Sequence, residues 1–332
     1  MILKVRGSAV HAVMTFHPSY TEDNLSLQFD GTTAEKVVHY TGIRFRKIAR
    51  NDWSFKEYAI KGVKQFLDTH SLDKDQIDVL VCVTQSNGTS IPSLSFFLHE
   101  KLELSTSVYC IDVNSGCSGY VQGIQLVQSI LATMSKKECN GLLICGDLSS
   151  NLIDPKDQSV RPIFSDAISV TQIKSSSEYT NGISTFSIDA DGKGRQAIYS
   201  DETTGSKLQL NGIDVFNHSI KMVPSNLTQL QNALDTSDFT SKEIFFHQAN
   251  KIINNSLVRK MGFNSSLVPS TLYDFGNTAS ASIPLTICNH FSGRDIQLKH
   301  LLLCGFGIGF SVASGFVFFD TSIIHPPQCL DL

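Results

Sequence analysis

Three residue types in this chain, set far apart in sequence, could together move an acyl group. The first is Cys117. It stands in Gly116-Cys117-Ser118-Gly119, where the β-rich apolar run Val108-Tyr109-Cys110-Ile111-Asp112-Val113 gives way to a helical pattern. That places the sulfur at a helix N-terminus, where free N–H groups and the positive end of the helix dipole favour thiolate. Glycine on either side lets a substrate carbonyl approach the backbone. The same residues also suit a buried structural cysteine in a tight strand-to-helix turn. The second is His247, which ends the short apolar run Ile244-Phe245-Phe246 and opens His247-Gln248-Ala249-Asn250. The third is Asn277, in Gly276-Asn277-Thr278-Ala279-Ser280-Ala281-Ser282. Taken singly, a histidine at a strand end reads as a structural hydrogen-bonder and an asparagine after glycine as a turn residue.

An internal repeat ties the three together. Gln85-Ser86-Asn87 recurs as Gln248-Ala249-Asn250, 163 residues later. Gly116-Cys117-Ser118 matches Gly276-Asn277-Thr278 at a spacing of 160, and Leu143-Ile144-Cys145-Gly146 matches Leu302-Leu303-Cys304-Gly305 at 159. Three short matches in one order at nearly one spacing point to two related halves. Cys117 and Asn277 then occupy equivalent helix starts, and a pseudo-two-fold axis would bring those starts together.

The elements that must position them alternate. Strands are expected at residues 79–83, 108–113, 141–145, 169–173, 244–246, 301–304 and 315–319. Helices are expected at 55–67, 93–102, 119–134, 215–233, 251–261 and 279–291. The N-terminal Ile2-Leu3-Lys4-Val5-Arg6 reads as an opening strand. Such alternation implies a largely parallel sheet in each half. The run Val108–Val113 is apolar enough to be buried on both faces, as it would be where sheet edges pair across a dimer. The half boundary is placed by the polar Lys174-Ser175-Ser176-Ser177-Glu178 interruption, giving halves of 1–174, with the cysteine, and 175–332, with His247 and Asn277. His325-Pro326-Pro327-Gln328 reads as a short tail.

On these motifs the chain resembles the thiolase-fold condensing enzymes, and most the β-ketoacyl-acyl-carrier-protein synthase III branch. The resemblance runs over most of the length. It rests on Tyr40-Thr41-Gly42-Ile43-Arg44-Phe45-Arg46, the Cys117 segment, Ile163-Phe164-Ser165-Asp166-Ala167, the His247 and Asn277 segments, and Gly305-Phe306-Gly307-Ile308-Gly309. Thiolases proper carry a second cysteine where this branch has asparagine, and Asn277 is present. The resemblance implies a five-layer αβαβα fold of two pseudo-repeated halves. It implies a Cys117–His247–Asn277 triad with no bound cofactor or metal, acting on acyl-coenzyme A or an acyl carrier protein thioester and on malonyl-acyl carrier protein. The oxyanion would be held by the Cys117 N–H and by one from Gly307 or Ile308. Substrate contacts would fall to Ile91, Tyr40, Asn151, Asn250 and Phe306. A homodimer is expected, with the 85–91 loop reaching the partner's acyl pocket; a heterodimer with a paralogue is the alternative. Lys251, Arg259 and Lys260, near the helix after His247, could dock an acidic acyl carrier protein, or be an ordinary solvated face.

Departures from the housekeeping pattern are also present. Lys36, Tyr40 and Asn151 stand where an aromatic or arginine clamp for coenzyme A is usual. Ile91 stands for the usual phenylalanine at the acyl gate, and Ile308 for a glycine. These put acetyl-coenzyme A priming of fatty acid biosynthesis in doubt and suggest a specialised paralogue in polyketide, surface-polysaccharide or other secondary biosynthesis. Two rivals remain open: an acyltransferase passing the group to a hydroxyl or amine with His247 as base, and an inactive partner subunit, which the intact triad opposes.

Bulk properties exclude other classes. A chain of 332 residues, 41% apolar and 17% charged, fits a soluble protein with a large core. Net charge −4 leaves no general basic field for nucleic acid. Charges interrupt the N-terminal apolar run, so no signal peptide is read, and no window approaches a membrane span. The eight cysteines show no zinc or disulfide spacing, which suits a reducing cytoplasm. Gly305–Gly309 is followed by a strand rather than the helix a nucleotide loop needs.

Overall fold

A computed structural model describes residues 1–87, 91–200, 207–234, 239–292 and 300–332. Its organising element is the strand Ile77–Val83, buried at every position. An uninterrupted apolar run of this kind belongs in a sheet covered on both faces. It pairs in parallel with Tyr109–Val113 on one side and Cys139–Asp147 on the other. Ala167–Ser175 follows antiparallel to Cys139–Asp147, and Ser8–His17 antiparallel to that.

The second half repeats the pattern. Ile244–Phe246 pairs in parallel with His300–Gly307. Ser311–Ile324 is antiparallel to His300–Gly307, and Ile183–Ala190 antiparallel to Ser311–Ile324. From Ile77–Val83 through Cys139–Asp147 and from Ile244–Phe246 onward, the senses run parallel, antiparallel, antiparallel; the first half adds one more parallel strand, Tyr109–Val113. The opening strand Ile2–Arg6 completes the outer edge against Ile183–Ala190. The far end of Ser311–Ile324 runs beside Ser8–His17 and joins the halves into one sheet.

Helices fill the remaining layers. Gly119–Thr133 and Ser282–His290 lie between the halves, sharing one core with strands of both through Tyr120, Ile124, Val127, Ile283 and Ile287. Phe55–His70 and Leu94–Lys101 cover the outer face of the first half through Tyr58, Phe66, Leu94 and Leu98. Gly212–Leu234 and Lys251–Met261 cover the second through Val223, Leu227, Ile253 and Leu257. This is the α/β thiolase-like, five-layer arrangement. A further helix, Ala34–Thr41, packs against Lys251–Met261 and had no expectation from periodicity.

Two expectations are corrected. Neither half is a largely parallel sheet: among the described residues the first has two parallel and two antiparallel pairings, the second one parallel and three antiparallel. Tyr109–Val113 is an edge strand, paired only to Ile77–Val83 among the described residues, and Tyr109 is half exposed. The C-terminal segment is not a loose tail. Gln328–Cys329 adds a strand beside Phe16 and His17, Leu330 is buried, and the Leu330 N–H donates to the His17 carbonyl at 2.9 Å. Of the 85–91 loop, residues 88–90 lie outside the described residues.

Candidate active site

Cys117 sits in a single 3-10 turn, Gly116–Ser118, between strand Tyr109–Val113 and helix Gly119–Thr133. Gly116 takes a left-handed φ of 50°, which turns the chain sharply into the helix. The thiol is buried, with 4% exposure. Burial pushes its pKa up to about 12, and the Asp147 carboxylate adds to the rise, while its own backbone N–H opposes it. The helix-start position therefore does not yield a resting thiolate. Desolvation of the anion outweighs the dipole, because this helix end is closed over by protein.

The closure comes from the second half. An added Cβ at Gly305 would lie 2.8 Å from the Ser118 Cα, and one at Gly307 would lie 3.3 Å from the Cys117 Sγ. The strand His300–Gly307 thus passes against the nucleophile turn at a distance only glycine allows.

His247 follows strand Ile244–Phe246, and its N–H donates to the Cys304 carbonyl at 2.8 Å. Its ring Nδ1 lies 2.7 Å from the Ser282 hydroxyl, which also receives the Gln248 N–H at 3.4 Å. That leaves Nε2 as the ring nitrogen for a substrate. The ring stands edge-on to Phe306, with centroids 5.5 Å apart. Burial drops its pKa to about 3, partly offset by the Ala279 backbone, so the ring is neutral. Asn277 is fixed by backbone bridging to Ile163 and Ser165. Its Oδ1 accepts the Ala279 N–H at 2.9 Å. This sets the amide orientation and turns Nδ2 into a donor, only loosely engaged by the Ala249 carbonyl at 3.4 Å.

Cys117, His247, Asn277, Asn250, Phe306 and Gly307 line one cleft. It holds about 460 Å³ including its open mouth, and its remaining walls are largely apolar, with Ile163, Ile198, Leu210, Val215 and Ile253. A neutral imidazole, an amide donor and a thiol around an apolar channel suit a thioester with a long, weakly polar arm. Asn250 also caps helix Lys251–Met261 through the Ile253 N–H at 2.9 Å.

Other candidates lie elsewhere. Ile308 does not line the cleft; its side chain packs over Gly116. Tyr40, Lys251 and Arg259 meet in a separate shallow hollow with His39 and Ile252. Lys260 is exposed on the last turn of the same helix. Asn151 is partly buried, and its carbonyl accepts from the Lys207 ammonium at 2.8 Å. Ile91 is 86% exposed.

Two residues at the site carried no sequence signal. Ser282 is one of several small residues in its segment, and only the fold shows that its hydroxyl meets the His247 ring. Asp147 is wholly buried and accepts from Thr84 Oγ1 at 3.0 Å, the Gln85 N–H at 2.6 Å and Ser86 Oγ at 3.1 Å. It anchors the chain after Ile77–Val83, and burial raises its pKa to about 6 against those hydrogen bonds.

Comparison with known proteins decides the family. Residues 111–192 match the family described as 3-oxoacyl-[acyl-carrier-protein (ACP)] synthase III, and residues 232–318 match its C-terminal counterpart. The chain belongs to this synthase III family. It is similar to the β-ketoacyl-[acyl-carrier-protein] synthase III of Campylobacter curvus, 28% identical over 91% of this chain and 95% of that one. The Neisseria meningitidis serogroup B enzyme of the same name is 27% identical over 88% and 92%. Among solved structures, a 3-oxoacyl-(acyl-carrier protein) synthase from Burkholderia xenovorans superposes with a TM-score of 0.90 at 28% identity, covering 99% of both chains. The priming β-ketosynthase of the R1128 polyketide pathway, 23% identical, shares the fold with a TM-score of 0.83. The chain is accordingly a condensing enzyme of the synthase III type, a transferase.

Proposed function

We propose that Cys117 takes an acyl group from a coenzyme A or carrier-protein thioester and that the chain condenses it with a malonyl thioester. In the first stage the sulfur attacks the thioester carbonyl, the old carbon–sulfur bond breaks, and the thiol proton leaves with the departing thiolate. The N–H groups of Cys117 and of Gly307 or Ile308 hold the oxyanion. In the second stage the malonyl carboxylate leaves as carbon dioxide. The electron pair passes into an enolate whose oxygen receives hydrogen bonds from His247 Nε2 and Asn277 Nδ2. The enolate carbon then attacks the acyl carbon, and Cys117 departs and regains a proton. The first half, residues 1–174, would supply the nucleophile, and the second, 175–332, the two donors.

The observation that carries this reading is the pair of fixed neutral donors. Asn277 has its oxygen occupied, and burial keeps His247 uncharged with Nδ1 engaged by Ser282. A group that loses its proton near pH 3 is a poor general base, so transfer to a hydroxyl or amine is the weaker account.

The hollow of His39, Tyr40, Lys251 and Arg259 would receive the acidic carrier protein or the phosphates of coenzyme A. With Lys36, Tyr40 and Asn151 in place of a stacking clamp, the donor would differ from that of a housekeeping enzyme. The half-exposed edge strand Tyr109–Val113 and exposed Ile91 favour a homodimer in which strands pair across the two-fold axis. Light scattering at micromolar concentration should then show twice the 36.5 kDa chain mass. The functional test is carbon dioxide release by acylated enzyme given malonyl-acyl carrier protein. Neither release nor β-keto product across a broad panel of acyl thioesters would overturn the condensing reaction.

A further inference from the structure

We propose that Ser118, Gln122 and Ser311 form a hydrogen-bonded strut that positions the Gly307–Gly309 turn against Cys117; this rests on the acyl-transfer reading above. The strut begins on the nucleophile helix. Ser115 Oγ donates to Gln122 Oε1 at 3.0 Å, and Gln122 Nε2 donates to Ser118 Oγ at 2.8 Å. Residues 118 and 122 are one helical turn apart, so their side chains share a face. Ser118 Oγ then meets Ser311 Oγ at 2.7 Å, across to the second half of the chain. Ser311 Oγ lies 2.8 Å from the Ile308 carbonyl.

Each hydroxyl has one hydrogen to give. If Ser118 donates to Ser311, then Ser311 is free to donate to Ile308, and every donor in the chain has one acceptor. In the reverse order Ser118 would donate to the Ser115 carbonyl at 3.1 Å. The shorter 2.8 Å contact selects the direction that ends on Ile308. The Ser118 side chain is wholly buried, where an unmade hydrogen bond is costly, so the chain is held rather than optional.

The far residue of the turn, Phe310, is tied through its N–H and carbonyl to Asp191 at 3.0 and 2.8 Å; the strut acts at the near end, on Ile308. Strand His300–Gly307 pairs with Ser311–Ile324 through Gly307 and Ser311, leaving three residues between them. Gly307 and Gly309 have φ of 154° and 121°, in backbone regions where glycine has wide freedom. Gly307 lies against the Cys117 side chain, and Ile308 packs over Gly116. On the acyl-transfer reading, the N–H of Gly307 or of Ile308 would face an oxyanion on an acyl-Cys117. Fixing the Ile308 carbonyl fixes the turn that presents it. Ser118, Gln122 and Ser311 touch no reacting atom on this account; they are positioning residues, and their side-chain types specify the turn to the same helix that carries the nucleophile.

The test compares two reactions of one sulfur. Acylation by a thioester passes through an oxyanion; alkylation by iodoacetamide does not. In Ser311→Ala, acylation of Cys117 followed by intact-protein mass spectrometry should slow by about 10-fold, as a modest misplacement of donors does. Alkylation should keep its wild-type rate. Ser311→Thr retains a hydroxyl and should restore acylation. Ser118→Ala should match Ser311→Ala, and the double variant should be no slower than either, as for residues acting in one network. Equal slowing of alkylation and acylation, or multiplied defects in the double variant, would overturn the strut. So would wild-type acylation in Ser311→Ala. A wild-type chain that takes up no acyl mass from any thioester would remove the acyl-transfer reading, and the strut's role with it. Wild-type uptake alongside unaffected variants would remove the strut alone.

Discussion

The Cys117 and Asn277 segments both lead into central helices, but they are built differently. Cys117 lies inside the 3-10 turn Gly116–Ser118, two residues before helix Gly119–Thr133, whereas Asn277 bridges Phe164 and stands five residues before helix Ser282–His290, so the expected equivalence of the two helix starts does not hold. They differ too in the side chain presented and in what fixes it. Cys117 is enclosed by desolvating neighbours that keep its proton on. Asn277 is held by a backbone N–H on its oxygen, which leaves its nitrogen to donate. A 3-10 turn thus presents the nucleophile in one half, and a bridged segment just ahead of such a turn presents the amide in the other. A helix start supplies position, and burial and second contacts supply chemistry.

The largest effect that could break this comparison is at Cys117. Cys117→Ala should abolish the acyl adduct seen by intact-protein mass spectrometry while circular dichroism stays that of wild type. A persisting adduct would move the nucleophile to another residue. Next, Asn277→Ala and His247→Ala should lower carbon dioxide release from malonyl thioester by roughly 10²-fold or more, the scale of one lost oxyanion donor. Acylation of Cys117 should survive in both. A mild Asn277→Ala would make its segment a structural echo of the cysteine turn and nothing more.

The pH dependence sharpens the contrast in mechanism. A thiol whose pKa is raised to about 12 is protonated at neutral pH, and its thiolate fraction grows as pH rises. Alkylation of Cys117 should therefore climb tenfold per unit from about pH 7 to about pH 10 without levelling. His247, lowered to about 3, stays neutral over the same range, so carbon dioxide release should show no inflection near the ordinary histidine value of 6.5. An alkylation plateau near pH 8 would place the helix dipole above desolvation at this turn.

The smallest effect separates the two glycines. In Gly276→Ala the new Cβ would meet the Ile163 carbonyl at 3.1 Å with φ at 62°, costing about 1–2 kcal/mol, visible as a fall of a few degrees in thermal midpoint. Gly116→Ala should cost a similar amount, but its Cβ would press on the Ile308 side chain at 2.9 Å. It should lower acylation too, whereas Gly276→Ala should leave acylation close to wild type.

Much of the architecture was legible along the chain. Strands such as Ile244–Phe246 and helices such as Lys251–Met261 carry the apolar periodicity that a covered sheet and an amphipathic helix require. The repeat of Leu143–Gly146 at Leu302–Gly305 anticipated two strands with the same neighbours in each half. The short helix Ala34–Thr41 was not anticipated; it spans only eight residues and buries none of them fully.

By itself the sequence determined which groups are available, because residue type sets chemistry, and it determined their order and the doubling of the fold, because repeated pattern survives in linear form. Tertiary structure alone decided their state. Burial keeps the proton on Cys117, with the Asp147 carboxylate 30 residues away adding to it; burial keeps the His247 ring neutral; and the Ala279 N–H sets the donor orientation of Asn277. Solvation and hydrogen-bond direction are properties of neighbours in space, and no spacing along a chain records them.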